Sequence, residues 1–98
     1  MTLKEVLERK IRGLGEVLED NPNLGVIRAR FGGSRYALAL DPHRDRAIVT
    51  EDDVFGHYLW DVGAHHAPRY WRAIEAPEGR PYAPPVWVLE AIEEWLRG

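Results

Sequence analysis

The chain has 98 residues, of which 45% are hydrophobic and 30% charged, and its formal net charge is -3. That balance describes one globular domain, since a chain of this length buries roughly two-thirds of its unfolded surface and needs no covalent staple. It excludes a disordered tail and a polycation that coats nucleic acid, and the absence of cysteine excludes a disulfide framework, a thiolate nucleophile and a cysteine metal site.

The amino terminus, Met1-Thr2-Leu3-Lys4-Glu5, lacks the apolar run of a secretory signal, and no stretch approaches the roughly 20 apolar residues of a membrane span. A cytoplasmic protein with no membrane partner is expected. Lysine occurs only at Lys4 and Lys10, asparagine only at Asn21 and Asn23, and glutamine not at all. Such usage suits a GC-rich genome, and scarce amides are also a thermophile habit.

Thr2 followed by Glu5 forms a capping box. Leu3, Val6, Leu7, Ile11, Leu14, Val17 and Leu18 then recur at three- and four-residue spacing, which predicts an amphipathic helix over 3–19. Gly13 and Gly15 weaken its interior by up to about 1 kcal/mol each, and Pro22 ends it.

Val26 to Phe31 and Ser34 to Leu40 alternate in polarity on either side of Gly32-Gly33, the signature of a β-hairpin with a two-residue turn. Pairing Phe31 with Ser34 sets Ala29 opposite Tyr36 and Ile27 opposite Leu38 on a core face. The same register opposes Arg30 to Arg35 and Arg28 to Ala37 on the other face. After a loop over 41–45, Arg46 to Thr50 makes a third strand, with Ala37, Ala39, Ala47, Val49 and Val26 expected beside the arginines. Residues 57–62 favour a fourth strand by their aromatic and β-branched content, although Asp52 or Asp53 could cap a helix starting at Val54.

Pro68 suits the first residue of a short helix reaching Ile74, and the proline-rich run from Ala76 to Pro85 suits an extended loop. Pro85 opens a final helix with Val86, Leu89, Ile92 and Leu96 on its inner side. The expected fold is therefore a single α+β domain over 1–98, with an antiparallel meander of three or four strands and an N-terminal and a C-terminal helix packed on it.

Chemistry is sparse. The only hydroxyl nucleophiles outside tyrosine are Thr2, Ser34 and Thr50, without a Gly-x-Ser-x-Gly elbow, and neither glycine pair sits where a phosphate loop would. His57, His65 and His66, with Asp61 between them, form the one constellation with acid-base or metal potential. No strand or helix converts their spacing into one coordination sphere, so neither metal nor other cofactor is expected. Tyr58, Trp60, Tyr70, Trp71, Tyr82 and Trp87 crowd the second half, interleaved with Arg69, Arg72 and Arg80.

Tryptophan, tyrosine and arginine anchor protein interfaces, so Trp60, Tyr70, Trp71 and Trp87 are candidate contact residues. Arg28, Arg30 and Arg35 are candidate anion ligands, within a segment whose arginines exceed its acids despite the acidic total. The best expectation is a small non-catalytic interaction module that forms a homo-oligomer or docks on a protein partner. Nucleic-acid or phosphate binding by the arginine face is the runner-up, and an acid-base or metal-assisted enzyme around His57, His65 and His66 is third.

Overall fold

The computed structural model describes residues 1–79 and 81–98. Arg80, counted above among the arginines between aromatics, lies outside them. Helix α1 (Leu3–Arg12) leads into six strands, β1 (Glu16–Asn21), β2 (Val26–Phe31), β3 (Ser34–Leu40), β4 (Arg46–Asp53), β5 (Gly56–Gly63) and β6 (Trp71–Glu75), and helix α2 (Val86–Arg97) closes the chain. The strands form one antiparallel sheet in sequence order. The α+β class is as expected, but the sheet has six strands rather than three or four.

Both additional strands come from segments that read as helix. Gly13 caps α1, and the chain then passes so close to β2 that a side chain at Gly15 would run into the carbonyl of Arg30. The turn is tight enough for Glu16 to start pairing with Arg30 and for the strand to continue to Asn21 opposite Val26. Val17 and Leu18, which extend the helical spacing, are instead exposed on an edge strand. At the other edge, Trp71 to Glu75 pairs with β5 rather than completing a helix from Pro68. A helical period in a short apolar run is overridden when a neighbouring strand offers a full set of backbone partners.

The hairpin register is as read. Gly32 (φ 60°) and Gly33 (φ 82°) supply the two positive φ angles of its turn, and Arg30 faces Arg35. The segment left open between strand and helix is strand β5. The placing of Ala47 and Val49 requires correction. Asp41 N–H donates to the Arg46 carbonyl at 3.0 Å, which sets Leu40 opposite Ala47 and Leu38 opposite Val49. Both residues therefore point into the core, and Ile48 and Thr50 take the outer face.

Both helices cover the same face of the sheet. Leu3, Val6, Leu7 and Ile11 of α1 and Trp87, Val88, Ala91 and Ile92 of α2 meet Ile27, Ala29, Leu38, Ala47, Val49, Trp60 and Val62 in one buried cluster. Each large aliphatic or aromatic side chain there contributes about 1.5–3 kcal/mol by leaving water. Helix α2 is rotated from the expected setting: Trp87 and Ala91 turn inward with Val88 and Ile92, leaving Val86, Leu89 and Leu96 exposed. The large Trp87 ring, edge-on to Tyr36 at 5.8 Å, buries more apolar area than any of those three could.

The start of α1 is fixed from a distance. Thr2 and Glu5 form the capping box, while Asp45 accepts the N–H groups of Leu3 and Lys4, both at 2.9 Å. The loop between β3 and β4 thereby supplies what the first turn cannot supply itself.

Candidate functional site

Because both helices lie on one side, no helix covers the opposite sheet face among the described residues; only its Asp61 end, opposite Ile48, is overlaid by His65 and His66. Its middle carries Val26, Ala37, Ala39, Ile48, Thr50 and Leu59, and charged residues flank them. Arg28 donates to Glu19 at 2.9 Å and Arg30 bonds to Glu16, both across the β1–β2 pair. Arg35 sits opposite Asp52 in the register, but makes no ion pair among the described residues. The three candidate anion ligands do share one face. Two of them, however, are already matched by carboxylates of the strand that sequence reading assigned to a helix.

Farther along this face, His57 Nδ1 lies 2.7 Å from Asp52 Oδ1 and its Nε2 lies 3.4 Å from Glu75 Oε2. His57 therefore links β4, β5 and β6 and does not join the other histidines.

At the far end of β5 the structure assembles what the spacing did not announce. Asp61 is buried, and Arg46 of the adjacent strand grips it through Nε to Oδ1 at 3.3 Å and Nη2 to Oδ2 at 3.1 Å. Past Gly63 the chain makes a 3-10 turn over Ala64–His66, which folds both histidines back over the strand end. His65 Nε2 then lies 3.2 Å and His66 Nε2 3.0 Å from the same Asp61 Oδ2. The expectation that no common coordination sphere forms rested on regular elements, and this reversal is not one. Asp61, His65 and His66 place a ligand atom each within 4.8 Å of one another.

Two backbone hydrogen bonds pin the reversal, Tyr70 N–H to the His66 carbonyl and Gly63 N–H to the Tyr70 carbonyl, both at 2.9 Å. Tyr70 takes a left-handed φ of 69° there, and its ring packs edge-on against Trp95 of α2 at 5.3 Å. Such a backbone persists because its surroundings over-determine it.

Burial pushes the Asp61 carboxyl up, but bonding from His66 and His65 and the charge of Arg46 outweigh it and hold Asp61 below its ordinary value. His66 Nε2 is buried, with Asp61 Oδ2 3.0 Å away but off the best hydrogen-bond line.

The four candidate contact aromatics are placed differently from one another. Trp60 and Trp87 are core residues of the chain itself, 1% and 4% exposed, and Trp60 Nε1–H donates to the Tyr82 carbonyl at 2.7 Å. Their area is consumed inside the domain. Tyr70 and Trp71 are half-buried, and Arg69 stacks over the Trp71 ring at 4.6 Å.

Comparisons with protein-family models, curated proteins and solved structures give no match.

Proposed function

We propose that the protein is a small non-catalytic interaction module whose contact surface is the uncovered sheet face, and that its partner is a second copy of the chain. The observation that carries this reading is the one-sided helix layer, which leaves Val26, Ala37, Ile48 and Leu59 half-buried between their strand neighbours with no helix over them. The charged flank carries both signs, with Arg28, Arg30 and Arg35 beside Glu19, Glu16 and Asp52. A two-fold axis can therefore oppose unlike charges around an apolar centre, as an isologous interface requires. Anion binding by the same face is the weaker reading, because Glu16 and Glu19 already occupy two of its guanidinium groups.

The test is mass against concentration. Sedimentation of the parent should show a dimer that dissociates on dilution, and Ile48→Glu should hold the chain at its monomer mass of 11.3 kDa without loss of fold. A parent that remains at 11.3 kDa at high micromolar concentration ends the reading.

A further inference from the structure

We propose that Asp61, His65 and His66 form a binding site for one divalent transition ion of the zinc class, with Asp61 Oδ2 and the two Nε2 atoms as ligands. The ligands lie at the border of the proposed contact face, Asp61 standing opposite Ile48 in the register, but none of the three belongs to its apolar centre.

The donor set is two imidazole nitrogens and one carboxylate oxygen, which suits borderline ions such as zinc, cobalt or nickel and not the all-oxygen preference of magnesium or calcium. The separations fit. Bonds of about 2.0 Å in a tetrahedron set neighbouring ligands roughly 3.3 Å apart, and Asp61 Oδ2 lies 3.2 Å from His65 Nε2 and 3.0 Å from His66 Nε2. The third edge, between the histidines, lies within 4.8 Å. Bringing it to the same length requires a turn of the half-exposed His65 ring toward His66.

Three further features belong to a built site rather than to a chance meeting of surface groups. Asp61 and His66 have side chains only 13% and 17% exposed, so two of the three ligands are held by the fold. Buried His66 Nε2 is poorly aligned with Asp61 Oδ2, 3.0 Å away, and a metal bond would give its lone pair a better partner. Arg46 holds both oxygens of the carboxylate, Oδ2 included, and Asp41 lies 3.8 Å from its guanidinium, an arrangement that orients a ligating oxygen and offsets part of the guanidinium charge.

With three protein ligands, a fourth position remains on the His65 side for water or an anionic group. A three-ligand site with one open position is the pattern of ions that meet a ligand, whereas purely structural zinc is closed on four sides.

The test uses the untagged full chain, stripped with a chelator and titrated with zinc at a concentration below self-association, by calorimetry and by NMR of the histidine rings. One ion per chain is expected, with the rings of His65 and His66 shifting and those of His43 and His57 unmoved. His65→Ala and His66→Ala should each weaken zinc by at least ~100-fold, at or above the loss seen for residues that merely support a ligand. His57→Ala should bind as the parent does. Melting curves on each variant separate loss of the site from loss of fold, and half-exposed His65 is the variant expected to fold unchanged. Absence of zinc binding by the parent, full binding in a folded His65→Ala and His66→Ala pair, or loss of binding in His57→Ala overturns the proposal.

Discussion

A methyl group on Gly63 would sit 2.7 Å from Nδ1 of His65 and 3.0 Å from Cβ of Arg46. Gly63 is extended, with φ 175°, so any side chain is tolerated by its backbone and the constraint is purely one of space. The missing side chain lets the His65 ring lie over the end of β5 and reach Asp61. Gly63→Ala should therefore swing half-exposed His65 into solvent at a cost of about 1 kcal/mol, while zinc binding falls as far as in His65→Ala. Denaturation and a zinc titration on the same variant check both halves. Unchanged zinc binding would mean that the ring does not need the space.

Asp45 and α1 make a second long-range pairing that mutation can weigh. Asp45→Ala leaves the N–H groups of Leu3 and Lys4 without their acceptor and should destabilise the domain by about 1–2 kcal/mol. Asp45→Asn, which keeps one acceptor oxygen, should recover part of this. Urea midpoints of the two variants against the parent decide the matter, and equal stability of Asp45→Ala would mean that Thr2 and water suffice.

Arg12 donates to Asp20 through Nε at 2.8 Å and Nη2 at 3.2 Å, tying the end of α1 to β1. The bond from Arg12 holds the Asp20 carboxyl below its ordinary value of 3.8. A depressed folded-state value means that the unfolded chain binds the proton more readily, so this contribution is fully present above pH 3.8 and is lost as pH falls through the lower folded value. Asp20→Asn should accordingly melt below the parent at neutral pH, with the gap closing in strong acid and shrinking with added salt. A gap independent of pH would place the effect outside this pair.

Replacing Arg30 and Arg35 together by alanine removes one exposed ion pair and one like-charge opposition. The two effects have opposite sign, so stability should stay within about 0.5 kcal/mol of the parent. Both side chains point away from the core, and a melting curve with a lost transition would contradict the register of β2 and β3. If the open face binds anions after all, this variant is also the one that abolishes the interaction.

The parts of the fold that were legible in the sequence are those determined between near neighbours. The Gly32-Gly33 turn sets the register of β2 on β3 because two positive φ angles are needed at adjacent positions, and residue alternation then decides which side faces the core. Thr2 and Glu5 announce the start of α1 for the same reason: cap and partner lie within one turn. The loop over 41–45 was legible from its ends, and Asp41, which accepts N–H bonds from His43 and Arg44, is a turn residue whose role is local.

What only the tertiary structure decided involves partners distant in sequence. Val17 and Leu18 keep a helical spacing, yet the close approach of Gly15 to Arg30 and the pairing of Glu16 and Glu19 with β2 make that segment a strand, and those carboxylates neutralise the arginines that looked available. Trp71 to Glu75 becomes a strand because β5 presents an open edge. The cluster of Asp61, His65 and His66 has the same origin. Sequence spacing predicts a common site only when a helix or strand repeats it, whereas here an extended glycine, a 3-10 turn and the anchored Tyr70 reverse the chain by a path with no period to read.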